Sequence, residues 1–301
     1  MSKIAVISDI HSNIDALNLV LRDIEKRNVD KIICLGDLIT KYFYPAEVVD
    51  SIKSISEIVI KGNCDDLVVK YPSYKFARSK LGLNRLEYLE NLPTKDQIEI
   101  NKEVVNLYHS NPNDLESMFN PMFEHNSETE YSKKIISNYS EIFESNNVSI
   151  VGHTHDAYIG IEKKQKLNIV QNLRNLETLN IPIIINKDNR AIINVGSVGE
   201  SNMMVKKEGK YVSSIQDYIT YVILDDEGLK SGFTAEIIKI PYKEELKKIF
   251  FSTVEKQMNN EFPYLSVQMR KIKDALEKYD EESYDKAEKL IKKIERRKKN
   301  E

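Results

Sequence analysis

Lys3-Ile-Ala-Val-Ile-Ser-Asp9-Ile-His11-Ser-Asn13 is the stretch on which the fold turns. Its first half is a short apolar run rich in β-branched residues, the pattern of a buried parallel strand. An aspartate and a histidine follow, two positions apart, and then an amphipathic helix begins. Ile14, Leu17, Leu21 and Ile24 recur at helical spacing, and Ser12 with Asp15 has the form of a capping box. The unit is a strand, a loop and a helix, with two metal-capable side chains at the strand's carboxyl end. Ligands of open α/β sheets bind at that edge, because side chains leaving the strands converge there. No Gly-x-Gly-x-x-Gly occupies the turn, which argues against a dinucleotide site. Taken alone, Asp9 could equally cap the helix and His11 could sit on a surface loop.

Working outward, the same arrangement repeats. Lys31-Ile-Ile-Cys-Leu35 reads as a second buried strand running into Gly36-Asp37, with Cys34 as a small core residue. Residues 46–52 carry helical apolar spacing. Residues 58–60 form a third strand that exits into Gly62-Asn63-Cys64-Asp65, and residues 67–91 are mainly helical in pattern. Segments 97–100 and 104–108 can pair as a hairpin around Asn101-Lys-Glu103, delivering His109-Ser-Asn-Pro112 at a strand end. A polar helical stretch over 130–144 leads to the strand 148–151 and then Gly152-His153-Thr154-His155. Residues 160–190, rich in Lys and Asn, read as an elaboration inserted into the domain. Strand 191–194 runs into Val195-Gly196-Ser197-Val198-Gly199, residues 201–217 read as loop, and 218–224 with 233–240 read as a closing hairpin. A main domain over 1–241 is thus followed by a charged helical extension over 242–301.

Composition narrows the function classes. The 301 residues are 41% hydrophobic and 30% charged, enough for one large α/β core plus an appendage. A net charge of -3 provides no overall basic field for nucleic acid, so a phosphorylated substrate must be held locally. Cys34 and Cys64 make no disulfide framework, and the N-terminus lacks the layout of a signal peptide. No apolar run approaches the roughly 18–20 residues of a membrane span. The expectation is a soluble, cytoplasmic protein with no membrane partner.

The chain has five histidines, and four of them (11, 109, 153 and 155) stand in loops that follow predicted strands. Together the strand exits offer Asp9, His11, Asp37, Asn63, His109, His153 and His155. This mixed imidazole, carboxylate and amide-oxygen set can hold two divalent ions that share one carboxylate. Mn, Fe, Zn, Ni or Co suit such donors, whereas Ca or Mg would favour an all-oxygen cage.

The order Asp-x-His, Gly-Asp, Gly-Asn-Cys-Asp, a later His, Gly-His-Thr-His and Asn-x-Gly-Ser-Val-Gly resembles the calcineurin-like metallophosphoesterases, and most closely their smaller prokaryotic branch. The likeness spans roughly residues 3–241. It implies a four-layer α/β/β/α sandwich of two mixed β-sheets flanked by helices, with two divalent metals per chain, Mn foremost. By matching motif positions, Asp9, His11 and His155 would bind one metal and Asn63, His109 and His153 the other, with Asp37 bridging. Asp37, Asn63, His109 and Asp65 are then expected to carry the chemistry, and Asn13, Cys64 and Ser197 to meet substrate. Two cations sharing a carboxylate can acidify a bridging water and neutralise charge during in-line displacement.

One departure bears on substrate. Many members of the resembled family place a His where this chain has Cys64, and that His is usually assigned to the leaving group or to phosphate. A thiol of pKa near 8.5 is a poor stand-in. Cys64 then lines the pocket, and Asp65 either orients His109 or bonds to backbone. The expected substrate is a phosphodiester or a nucleotide polyphosphate such as a dinucleoside tetraphosphate. The alternatives are a monoester (a protein phosphatase included) or a non-catalytic scaffold of the same fold.

Other features have two readings each. Gly196-Ser197-Val198-Gly199 either lets backbone N–H groups approach a phosphate or is a tight turn leaving a strand. Arg78, Lys80 and Arg85 either reach a second phosphate or form a solvated helix face, and His125 reads as a solvated loop histidine. The C-terminal helices could cap the domain, form a lid or pair two copies of the chain. The Arg296-Arg-Lys-Lys299 cluster sits among alternating charges, which favours i,i+4 pairing over nucleic-acid binding.

Overall fold

Six parallel strand ends, three from each of two β-sheets, face one edge of the molecule. A computed structural model describes residues 2–40, 44–117, 119, 139–143, 146–172, 182–199, 202–207, 210–215 and 218–242. The chain divides into a unit Met1–Pro241 and a second unit Tyr242–Glu301. The charged extension, His125 and most of the polar stretch 130–144 lie outside the described residues.

In the first sheet β1 (Lys3–Ile7), β2 (Lys31–Cys34) and β3 (Ile58–Val59) run parallel. β13 (Tyr218–Asp225), β14 (Phe233–Pro241) and β9 (Ile183–Ile185) continue it antiparallel, in the order β3-β2-β1-β13-β14-β9. The second sheet has the order β4-β5-β6-β10-β7-β8. Its parallel centre is β5 (Glu103–Tyr108), β6 (Val148–Val151) and β10 (Ala191–Asn194), flanked by β4 (Lys95–Ile100), β7 (Tyr158–Lys163) and β8 (Lys166–Asn172). Both sheets are therefore mixed, as expected.

The expected hairpin before His109 is present. Asn101 and Lys102 both have positive φ, the geometry of a two-residue turn whose twist matches its strands. One expectation is extended and one corrected. The described parts of 160–190 pair into the sheets: β7 and β8 complete the second and β9 edges the first. Residues 201–217, read as loop, contain a two-stranded ribbon of β11 (Asn202–Lys207) and β12 (Lys210–Ile215). Short strands rich in Lys and Asn lack the alternation that would have marked them.

Strand periodicity explains the layers. Ile4 and Val6 of β1, with Ile33, Leu35 and Val222, point inward and meet Val105, Leu107, Ile150 and Ile193 of the second sheet. Each such burial contributes about 1.5–3 kcal/mol. The alternate residues Ala5 and Ile7 are equally buried on the opposite face. That side is covered by α1 (Ile14–Lys26), whose Asp23 Oδ2 accepts a hydrogen bond from Tyr221 of β13 at 2.7 Å.

The helix buries Ala16, Leu17, Val20 and Ile24, one step round from the stripe expected. Its cap also moves by one residue. Asn13, not Ser12, accepts the Ala16 N–H at 3.1 Å, because Ser12 lies at φ 65° in the left-handed region. The remaining described α-helices are α2 (Pro45–Ile55), α3 (Asn63–Lys70) and α4 (Lys75–Glu90). On the outer face of the second sheet, Phe119, Ile142 and Phe143 pack on Tyr108, Val151, Tyr158 and Ile192. Among the described residues, no helix is long and apolar enough to cross a membrane.

Candidate metal centre

Each candidate side chain leaves the end of a parallel strand. β1 exits into Asp9 and His11, β2 into Asp37, β3 into Asn63, β5 into His109 and β6 into His153 and His155. Asp9, His11, Asp37, His153 and His155 all have φ between 52° and 65°, a left-handed conformation uncommon away from glycine. Such strain clusters at functional sites, where the surroundings over-determine it. Here the determinants are visible: Asp9 N–H donates to Gly36 O, and the Ile10 and His11 N–H groups both donate to Asp37 O, at 2.9–3.0 Å. The β1 and β2 loops interlock backbone to backbone.

Two glycines make the close approaches possible. A Cβ on Gly62 would stand 2.1 Å from Asp37 Oδ1, and one on Gly199 would stand 1.9 Å from Ile10 O. The first lets α3 reach the carboxylate. The second lets the β10 exit of one sheet dock on the β1 exit of the other, where Val198 and Gly199 N–H groups donate to Ser8 and Asp9 carbonyls.

The donors gather into groups. Asp9, His11 and His155 each place a ligand atom within 4.8 Å of the others, and so do Asp37, His109 and His153. His11 Nε2 and His155 Nε2 are 3.0 Å apart, and Asp9 Oδ1 lies 3.2 Å from His155 Nε2. That buried oxygen accepts no hydrogen bond. Two imidazole nitrogens and an unsatisfied carboxylate oxygen converging on one point suit a divalent cation better than one another. Asn63 Oδ1 joins the second group, 3.0 Å from His109 Nε2. Asp37 faces both: Oδ1 is 3.5 Å from His109 Nε2 and Oδ2 is 3.9 Å from His11 Nε2.

Partners behind the rings select the nitrogen that faces inward. His109 Nδ1 donates to Leu35 O at 2.8 Å and His153 Nε2 to Glu116 O at 3.2 Å, while His11 Nδ1 stands 3.2 Å from Thr40 Oγ1. Such contacts orient a ligating imidazole and leave its other nitrogen free for a metal.

Charge follows from burial and neighbours. Burial opposes ionisation of Asp9, yet the imidazoles of His155, His109 and His11 hold its carboxyl far below the usual range. Asp37 is raised by burial against the pull of His109. Burial also works against a proton on His109, but Asp37, Asp9 and the Leu35 carbonyl raise it above an ordinary imidazole. Burial and neighbouring His109 push His153 down to about 3.

The remaining expected residues are brought to the site in other capacities. Asp65 takes the backbone alternative: Oδ1 accepts Leu38 and Ile39 N–H groups at 3.0 and 3.3 Å, and Oδ2 accepts Gly62 N–H at 3.0 Å. It clamps the Asp37 loop, while His109 is oriented by Leu35. Asn13, expected to meet substrate, instead uses its oxygen on the helix cap and its NH₂ on Gly199 O. Ser197, also expected there, is fully buried and donates to Asp9 O at 2.9 Å. Of the two readings of Gly196-Ser197-Val198-Gly199, the turn prevails, because all four N–H groups already have protein acceptors.

Arg78 caps α3 through the Val68 and Val69 carbonyls, and Arg85 pairs with Asp50, so both belong to the helix layer. Cys64 Sγ lies within 4.8 Å of donor atoms of His11 and Asp37, a metal-capable grouping that the sequence reading did not include. Thr40 and the Glu116 carbonyl were also missed. Neither residue type nor spacing marks them, because both act through loops folded over a distant histidine.

The model of the calcineurin-like phosphoesterase superfamily domain matches residues 2–213, which contain all of these side chains. The chain belongs to this superfamily. An uncharacterized protein of Methanocaldococcus jannaschii is 29% identical over 274 residues, covering 87% of this chain and 94% of that protein. A metallophosphoesterase from Sphaerobacter thermophilus superimposes with a TM-score of 0.55 at 20% identity, over 85% of this chain and 94% of the other. A hypothetical protein from Pyrococcus horikoshii gives 0.56 at 18% identity, over 95% and 98%. Members of the superfamily hydrolyse phosphoesters with divalent metals, and the grouped donors here are of the kind that task requires.

Proposed function

We propose that the protein hydrolyses a phosphodiester or a nucleotide polyphosphate, such as a dinucleoside tetraphosphate, with two divalent metals bound at the strand ends. Asp9, His11 and His155 would hold one metal; Asn63, His109 and His153 the other; and Asp37 both. The observation that carries this reading is that the two oxygens of one buried carboxylate, Asp37, face two separate donor groups. Divalent cations bound there would supply Lewis acidity, lowering the pKa of water and countering phosphoryl charge. The chain's own part is to fix donor geometry, through Leu35, Thr40 and Glu116 behind the rings and Asp65 behind the Asp37 loop. Fixed donors lower the reorganisation needed as charge develops.

The preference for a good leaving group rests on Cys64. Burial, and then the charge of Asp37, raise its thiol well above the ordinary value. A thiol so held is a weak proton donor, so a leaving group that needs little protonation is favoured. Mn heads the candidate metals, with Fe, Zn, Ni and Co sharing its tolerance for mixed nitrogen and oxygen donors.

The test is hydrolysis of p-nitrophenyl phosphate, bis-p-nitrophenyl phosphate and a dinucleoside tetraphosphate, before and after Mn is returned to chelator-stripped protein. Activity restored by Mn, with the diester or polyphosphate ahead of the monoester, is expected. Faster turnover of the monoester would replace the substrate reading with a phosphomonoesterase. Metal binding with no turnover of any substrate would favour the scaffold.

A further inference from the structure

Thr40 is a β-branched residue at φ 87°. Left-handed backbone is costly for such a side chain and persists only where the surroundings enforce it. The enforcement comes from the two residues before it. Leu38 and Ile39 N–H groups are clamped by buried Asp65, and Leu38 O accepts Ser12 N–H at 2.8 Å. Held in this way, the Thr40 hydroxyl stands 3.2 Å from His11 Nδ1 and also meets the Cys64 thiol, which in turn contacts Asp37.

We infer that Thr40 is a positioning residue: its hydroxyl accepts the His11 Nδ1 proton, aims Nε2 at the Asp9 and His155 donors, and links that ring through Cys64 to Asp37. This rests on the proposed reading of His11 as a metal ligand. The arrangement runs Nδ1–H of His11 to Oγ1 of Thr40, O–H of Thr40 to Sγ of Cys64, and S–H of Cys64 to the Asp37 carboxylate. Every donor has one acceptor, and no proton is left over. Cys64 thereby acquires a role that needs neither acid catalysis nor thiolate chemistry: it relays orientation between the two donor groups.

Three substitutions separate the hydroxyl from the strain. Thr40→Val keeps the β-branch and loses the hydroxyl, Thr40→Gly loses the hydroxyl and relieves the strain, and Thr40→Ser keeps the hydroxyl. Calorimetric Mn titration and thermal unfolding of metal-free protein would be run on the full chain for each. Lost support behind a metal-ligating histidine typically weakens binding about 10–100-fold. The Val and Gly variants are expected to show that loss for one Mn, and Ser to stay within about threefold of wild type. Metal-free Thr40→Gly is expected to unfold no earlier than wild type, since relieved strain offsets the added freedom of the unfolded chain.

Unchanged Mn affinity in Val and Gly, beside a wild type that binds Mn, would overturn the inference and leave the metal centre standing. Equal losses in Ser and Val, or a Gly variant unfolding well below wild type, would make Thr40 a packing element and overturn it as well. A wild type that binds no Mn would remove the metal reading and this inference with it.

Discussion

His11 and His109 present the same chemistry from two sheets, yet they are held differently. His109 is fully buried and leans on a main-chain carbonyl, Leu35 O, at the end of a central strand. His11 leans on a side-chain hydroxyl, Thr40 Oγ1, in a loop with strained backbone. A main-chain carbonyl just past a strand end cannot be removed by substitution. A hydroxyl can be deleted, and it has a second partner. The His109 donor group is thus built into the scaffold, and the His11 group is adjustable. The difference shows where this site can be tuned without unfolding the protein.

The largest expected effect comes from erasing the contrast altogether. Asp37 faces both donor groups, so Asp37→Asn should lower metal-restored diesterase activity on the order of 10³-fold or more, with circular dichroism unchanged. Substantial turnover by the Mn-loaded variant would remove Asp37 from its bridging role. Next, His155→Ala and His153→Ala each take one donor from a different group. Each should bind about half the Mn of wild type by metal analysis, and loss of all metal in either would mean that the groups do not fill independently.

A pH titration sharpens the comparison further. His109 is raised above an ordinary imidazole, so a proton competes with metal there from pH values above about 6.5 downward. His153, at about 3, offers no such competition in that range. Affinity for one Mn should therefore fall about tenfold per pH unit on acidification below the raised value. Calorimetry at pH 8, 7 and 6 checks this, and a flat profile would contradict the proton competition. The smallest effect is expected at Cys64. Cys64→His also breaks the link to Thr40, so the comparison is made at saturating Mn, where turnover of poor leaving groups should rise several-fold relative to good ones, on the order of general acid catalysis at its weakest. Equal changes for both would count against the leaving-group argument.

Much of the site is legible because one rule repeats. An apolar β-branched run followed by Gly, Asp, Asn or His marks a parallel strand and its exit, and this holds for β1, β2, β3, β5, β6 and β10. The less legible parts have a common cause. The β7–β8 and β11–β12 hairpins pair locally, but their polar or mixed strands carry too little alternation to announce them. Ser197 and Asn13 carried donor and acceptor groups suited to a substrate. Their bonds to Asp9 O and Gly199 O exist only because the edges of the two sheets meet.

By itself, the order of residues determined the strand-and-helix alternation, a candidate donor set that left out Cys64, and the imidazole–carboxylate chemistry that set can support. These are properties of local pattern and side-chain type. Only the tertiary structure decided which donors share a point, which ring nitrogen faces it, and that Asp65, Ser197 and Asn13 brace the loops. Those outcomes depend on two sheets meeting along one edge, with Gly62 and Gly199 admitting the approach, and on atoms more than a hundred residues apart coming within 3 Å. Side-chain chemistry is written in the sequence, but coordination is a property of distance.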